Sequence, residues 1–497
     1  MALKHLLRKP YGGFQNLVNH RSISTSSHSS APSLLVSYDQ LEEALNRVEN
    51  PNSSKFLQHS SPHPPVVIDP RKILSFPETR VTTLPNGLRV ATESDLAAKT
   101  ATISARIDAG SRHDTDDTSG IAHYAQKLNQ GFRMSMKERQ EMIENMGGCF
   151  RAYKYVVPDA IQILADILQA NCGDDDVDSL RDTILSEKEA VERCPEKLIL
   201  DHLHNASFRG SPLGRTVLGT DYVIKTIQRL KIVKFISTHY TAPRMVIAAA
   251  GAVKHEDFVE KVNKMITRLP TDPTTASQLA AKEPTTFTPS EVRIIDDGLP
   301  LAHFAVAFKG ASLTDPDSIA LMVMQFLLGS WNKSTEVGKY TGSVLAQRVA
   351  IDNIAETLMP FNKNYRDAGL FGVYACAKPE RLDDLAYTIM HEIRKLSYRV
   401  SEADVIRSCN QMKSSILLEL DGTTPIAEAI GSQLLAFGRR ISYAELFARI
   451  DAVDASTIKR VASRFVLDQD VAIAAMGPIQ SLPEYNWFRR STCLNRQ

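Results

Sequence analysis

At 497 residues the chain is too long for one hydrophobic core and calls for two or more domains. Its 43% hydrophobic and 23% charged residues are ordinary globular composition. A net charge of +1 excludes the polyelectrolyte character that would direct it to nucleic acid or to an acidic membrane surface.

The N-terminus has a composition of its own. From Met1 to Ser37 there is no Asp or Glu, while Lys4, Arg8, Lys9 and Arg21 are basic and serines crowd the stretch after Arg21. Leu6, Leu7, Phe14, Leu17 and Val18 supply one apolar helical face. An acid-free, basic, Ser-rich amphipathic start is the composition of a mitochondrial transit peptide, expected over residues 1–37. Tyr38 to Asn50 then reads as a short helix, and Pro51 to Pro77 as a connector.

Ordered structure is expected from near Arg80. Val81 to Glu93 places Pro85-Asn86-Gly87 between two strand-like runs, a hairpin signal. In Ala101 to Asp108, Ala101, Ile103, Ala105 and Ile107 alternate with Thr102, Ser104, Arg106 and Asp108, the pattern of a half-buried strand. Helices are expected over Val177 to Cys194, Ile224 to Tyr240 and His255 to Leu269, with a compact apolar strand at Met245 to Val253. Asp174-Asp175-Asp176 reads as helix capping and dipole compensation.

Leu269 to Ser290 breaks this pattern with Pro270, Pro273, Pro284 and Pro289 and reads as an interdomain linker. Beyond it the order of elements repeats. Ala302 to Ser312 echoes Thr102 to Ser111, and Val471 to Ile479 echoes Met245 to Val253, which points to duplication of one α+β unit. Tyr374 reads as a core residue, and Ser334 to Gly342 as a loop. Six scattered cysteines without CxxC spacing argue against a disulfide framework and a cysteine zinc site. No apolar run approaches the roughly 20 residues of a membrane-spanning helix, so membrane association is expected only through partners.

Several segments carry a specific resemblance. RVTTLPNGLRVATESDLAA (Arg80 to Ala98), IDAGSR (Ile107 to Arg112), DHLH (Asp201 to His204) and PLGRTVLG (Pro212 to Gly219) resemble the mitochondrial processing peptidase β-subunit family, of peptidase family M16. So do THYTAPRMVIAAAGAVKH (Thr238 to His255), LGSWN (Leu328 to Asn332), NYRDAGLFGVYA (Asn364 to Ala375) and FARIDAV (Phe447 to Val453). The α subunit's long glycine-rich loop is absent. The resemblance implies an α+β fold of two homologous lobes, each a mixed β-sheet flanked by helices, enclosing an interlobe cavity (an M16/LuxS-like metallohydrolase fold). The lobes are expected at 80–268 and 291–497, joined by the linker 269–290 and preceded by an extension at 38–79. The family pairs with an α subunit to remove presequences from imported precursors. In plants the pair also forms core subunits of the cytochrome bc1 complex, facing the matrix.

The family's zinc motif is H-x-x-E-H on a helix, two imidazoles at i and i+4 and a Glu that acts as general base, with a distant Glu as third ligand. No such motif occurs in this chain. At the matching position His123 keeps the first ligand, Gln126 stands at the base position, Lys127 replaces the second His, and Glu187 matches the distant ligand. An amide cannot take a proton from water, and an ammonium has no lone pair for a metal. His123 and Glu187 are therefore residual ligand positions, insufficient for a catalytic zinc centre, and no catalytic residue is assigned. His123 is expected to serve packing or a local hydrogen bond. From Gln126 to Val157 the resemblance lapses and the stretch is shorter than the family's, so Cys149 to Val157 is expected to supply a strand in shortened form.

The expected function is a non-catalytic, core-1-like subunit of the bc1 complex or of the processing-peptidase heterodimer, in the mitochondrial matrix or at the matrix side of the inner membrane, with no cofactor. One alternative is an active zinc metalloendopeptidase, with Zn2+ if the family activity is retained. Another is an inactive regulator that binds presequence peptides.

Overall fold

The structure is a computed structural model that describes residues 78–131, 151–153, 157–168, 173–338, 342–420 and 422–493. The expected leader, the Tyr38 to Asn50 helix, Cys149 and Cys172 lie outside the described residues.

The first half comprises β1 (Thr79–Thr83), β2 (Arg89–Ser94), β3 (Thr100–Ile107), α1 (Ile121–Gly131), β4 (Arg151–Tyr153), α2 (Val157–Leu168), α3 (Asp174–Glu192), α4 (Pro195–Ser207), α5 (Asp221–Thr226), α6 (Arg229–His239), β5 (Met245–Gly251) and α7 (His255–Met265). After α8 (Ala276–Lys282) come β6 (Ser290–Ile295), β7 (Ala302–Gly310), α9 (Ser318–Leu328), β8 (Trp331–Asn332), α10 (Val344–Ile351), β9 (Thr357–Asn364), β10 (Gly369–Ala377), α11 (Leu382–Lys395), α12 (Glu402–Glu419), α13 (Thr423–Phe437), α14 (Tyr443–Asp451), α15 (Ala455–Phe465), β11 (Val471–Gly477) and α16 (Tyr485–Ser491).

Two mixed sheets result, with strand orders β1-β2-β5-β3-β4 and β6-β11-β7-β10-β9-β8. In each, one parallel pair (β2/β5 and β6/β11) is followed by antiparallel neighbours (β5/β3 and β11/β7). The echoed sequences thus occupy equivalent strands, as a duplicated α+β unit requires. β4 is an edge strand of three residues that pairs with only Thr100 to Thr102 of β3.

The apolar run of β5 is explained by burial on both faces. Met245, Ile247 and Ala249 join a core with Ile121, Tyr124, Phe258 and Val262, while Val246 and Ala248 meet Ile430 and Leu434 of α13. A helix from the second half therefore covers the first sheet. Reciprocally, Ile199 and Leu203 of α4 pack on Ala305, Ala307, Ala472 and Ala474 of the second sheet. Tyr374 is buried on that same face, its hydroxyl 2.8 Å from His303 Nδ1. The packing units do not follow chain order: each sheet takes a helix from the opposite half.

This exchange corrects the half-buried reading of β3. Its polar face meets α13 rather than solvent. Thr102 Oγ1 lies 2.7 Å from Thr423 Oγ1, Ser104 Oγ donates to the Ala427 carbonyl at 3.2 Å, and Arg106 pairs with Glu428 at 3.1 Å. Just beyond the strand, Asp108 pairs with Arg366. Polar side chains two apart on a strand are satisfied by successive turns of a helix laid across it. Gly431 permits the close approach, since a Cβ there would stand 2.6 Å from Arg106 Cγ.

Two further differences have local causes. The expected helix from Ile224 to Tyr240 breaks at Ile227 and Gln228, both in extended conformation. The carbonyls of Ile224 and Ile227 accept instead from Arg181, at 3.1 and 3.2 Å, and the Tyr124 hydroxyl also donates to Ile224. Within 269–290, α8 forms because Gln278 N donates to Thr275 Oγ1 and Thr275 N donates to Gln278 Oε1, a reciprocal cap.

Candidate functional site

The residues singled out by the motif lie on α1 and α3, against the first sheet. Ile121, Tyr124, Ala125 and Leu128 form the buried stripe of α1 at helical spacing. That stripe turns the opposite face outward, with Gln126 exposed and His123 and Lys127 partly buried. On α3, Val177 and Ile184 are buried in the same core, and Glu187 follows Ile184 by one turn.

The start of α1 is fixed by backbone geometry. Asp114 accepts hydrogen bonds from the N–H groups of Gly120 (2.8 Å) and Ala122 (3.3 Å), taking up donors that the first turn leaves unpaired. Arg215 holds the Asp114 carbonyl at 2.6 Å and Asp116 at 3.1 Å. Gly120 and Gly219, at φ +91 and +85, touch backbone to backbone. A Cβ on Gly120 would stand 2.4 Å from the Leu218 carbonyl oxygen. Gly120→Ala is therefore expected to cost roughly 3 kcal/mol or more, against roughly 1 kcal/mol for Gly210→Ala, a site with positive φ but open space. Thermal unfolding of the two variants checks this, and equal losses would show that the backbone contact does not seat the helix.

His123, Lys127 and Glu187 converge. His123 Nε2 lies 2.9 Å from Glu187 Oε2, and Lys127 Nζ donates to Glu187 Oε1. Partial burial works to raise the Glu187 carboxyl, but the hydrogen bonds from Lys127 and His123 and their charges outweigh it and hold the group below its usual range. The three side chains thus form an ion-pair cluster with one carboxylate between two nitrogen groups.

That donor set does not fit a catalytic zinc. Tetrahedral hydrolytic centres use three protein ligands with lone pairs and an open position. Here two such groups exist, and the third is an ammonium already bonded to one of them. Among the described residues no group of three or more His, Cys, Asp or Glu could hold a metal ion. His204 is elsewhere, with Nε2 2.5 Å from the Tyr365 hydroxyl of the second half.

Asp114, Tyr124, Arg181 and Arg215, which position the two helices, were missed by the sequence reading. The one legible signal was an Asp ahead of a Gly that opens an apolar-periodic segment.

Comparison with known proteins agrees with this architecture. Residues 89–221 match the model described as Insulinase (Peptidase family M16), and residues 226–412 the Peptidase M16 inactive domain. The chain is 55% identical over 495 residues to the probable mitochondrial-processing peptidase subunit beta of Arabidopsis thaliana, covering 96% of this chain and 93% of that one. It is 39% identical over 432 residues to the Bos taurus mitochondrial-processing peptidase subunit beta, covering 83% and 87%. A chain of Complex III2 from Candida albicans, solved with Inz-5 bound, superposes with a TM-score of 0.75 at 25% identity, over 84% of this chain and 100% of that one. A protease from Helicobacter pylori shares the fold, with a TM-score of 0.70 at 18% identity over 80% and 99%.

Proposed function

Since this chain belongs to the M16 peptidase family, on its mitochondrial-processing-peptidase β-subunit branch, we propose that it serves as a non-catalytic, core-1-like subunit. Its partners are the α subunit of the processing peptidase and the other subunits of the cytochrome bc1 complex, and its location is the matrix side of the mitochondrial inner membrane. Residues 1–37 act as the transit peptide, and 80–268 and 291–497 as the two lobes about the linker 269–290.

One observation carries the loss of catalysis: on α1 an amide stands at the base position and an ammonium at the second imidazole's, with the ammonium bonded to Glu187. A general base needs a titratable acceptor, and Gln126 has none. A structural role needs the fold and its surfaces, and the likeness to a respiratory-complex chain over 84% of the sequence favours that role.

The test is co-expression with the α partner. The heterodimer is expected to hold far less than one zinc per chain, to leave a presequence peptide intact, to keep its unfolding midpoint in EDTA, and to co-purify with cytochromes b and c1. Stoichiometric zinc with chelator-sensitive cleavage would overturn the reading.

A further inference from the structure

We propose that the second half carries a helix-binding groove between α10 and α11, and that its occupant is the chain's own segment Tyr38 to Asn50. This docking goes beyond the proposed function and is independent of it.

The groove is an apolar face on two adjacent helices. α10 and α11 pack side by side on the face of the second sheet opposite the one that α4 covers. α10 buries Leu345, Ala346 and Val349 and turns Val344 and Ile351, two turns apart, to solvent; Ile351 is 78% exposed. α11 buries Leu385, Ile389 and Ile393 but leaves Tyr387 54% exposed, stacked on His391 one turn further on. Exposed Tyr398 follows just past the end of α11. Large apolar side chains exposed along neighbouring helices mark a contact face.

At one end of this face Val344, Leu327, Leu328 and Leu396 wall a cavity of about 60 Å³. Small-molecule pockets run to roughly 300–1,000 Å³, so the depression suits one anchoring side chain of a protein segment. Its rim is basic, with Lys395, Arg399 and Arg407. Lys395 is taken by Glu392 at 2.8 Å and Arg407 by Asp404 at 3.3 Å. Arg399 is exposed and pairs with no acid among the described residues. On α10, Arg348 reaches Asp352 only at 3.9 Å.

The segment Tyr38 to Asn50 has the complementary chemistry. As a helix it aligns Tyr38, Leu41, Ala44, Leu45 and Val48 in one apolar stripe, bordered by Glu42 and Glu49 two turns apart. Four acids (Asp39, Glu42, Glu43 and Glu49) against Arg47 leave it a net charge of −3. Thirteen residues are marginal as an isolated helix in water, so such a stripe needs a surface to form on. An apolar stripe edged with carboxylates fits an apolar groove with a basic rim, the helix-in-groove mode of recognition.

The chain also enters the fold at a suitable place. Thr79, at the start of β1, donates to Glu93, which pairs with Arg440 over the ring of Tyr443, a buried residue of the second half's core. α14, which begins with Tyr443, packs on α12, and the first turns of α12 reach the cavity through Asp404 and Arg407. The 18 residues of α12 span about 27 Å. The 27-residue connector Pro51 to Pro77 spans about 29 Å as a flexible coil and at most about 90 Å when extended, enough to return Tyr38 to Asn50 to the groove.

The experiment uses the full chain purified with its α partner and reads backbone hydrogen exchange over Val344–Ile351 and 385–400. Deleting residues 38–50, or combining Leu41→Asp with Leu45→Asp, is expected to speed exchange there at least about fivefold and to leave α4 unchanged. Ile351→Asp is expected to speed exchange over 385–400 in the full chain and to have no further effect once residues 38–50 are deleted, a dependence that a merely structural role of Ile351 would not show. Exchange indifferent to both changes in 38–50 would overturn the docking. So would protection that ignores 38–50 but grows with protein concentration, which assigns the groove to a second copy, or that is lost without the α partner, which assigns it to that subunit. Each of these outcomes leaves the proposed function standing.

Discussion

Gln126→Glu combined with Lys127→His is expected to yield a chain that, with its α partner, cleaves a presequence peptide the wild type leaves intact. The two substitutions restore different things. Position 127 decides whether three ligands with lone pairs face one point, and position 126 whether a proton acceptor stands beside it. Lys127→His alone is therefore expected to bind zinc without appreciable turnover. Adding the carboxylate at position 126 is expected to raise kcat by about 10²–10⁴-fold over that single variant, the usual contribution of a positioned general base. Turnover within tenfold of the single variant, at equal zinc content, would show that something other than the missing carboxylate silences the site.

A large loss of stability is also expected at the contact between the halves. Glu93, at the end of β2, is 5% exposed and pairs with Arg440 Nε at 2.9 Å. Arg440 follows the exit of α13, where Gly438 takes φ +73, and lies over the Tyr443 ring 4.9 Å from its centroid. The Glu93 carboxylate also accepts from Thr79 Oγ1 at 2.5 Å, but no other charged partner reaches it in the structure described. Removing one member of a buried pair strands the other, at a cost of about 3–5 kcal/mol. Arg440→Met is expected to lose that amount in denaturant unfolding, and Glu93→Gln with Arg440→Met to recover part of it. A loss below about 1 kcal/mol would place the pair with exposed ion pairs and remove it from the account of how α13 is held.

α13 also marks where sequence reasoning stopped. The compact apolar strand expected at Met245 to Val253 formed as β5, and the Pro85-Asn86-Gly87 hairpin formed as read, with Leu84 N donating to the Leu88 carbonyl at 2.8 Å. Both signals are local. The alternation in β3 was equally clear, yet its polar side meets a helix some 320 residues later in the chain. Periodicity reports that two faces differ and is silent on what each face meets. The break at Ile227 has the same origin, since the extended Ile227 and Gln228 leave the Ile224 and Ile227 carbonyls to Arg181, a residue of a distant helix.

By itself the sequence determined which chemical groups are present: an imidazole, an amide, an ammonium and a carboxylate at spaced positions, on a duplicated α+β chain with two lobes' worth of strands and helices. Those are properties of side-chain identity and short-range spacing, and they sufficed to withhold a proton acceptor and a ligand from the motif. Only the tertiary structure decided that Lys127 and His123 close on opposite oxygens of a carboxylate 60 and 64 residues away. Only it decided that each sheet is roofed by the other half's helix. Contacts between distant segments are selected by the packing and charge balance of the whole chain, which no local window of sequence contains.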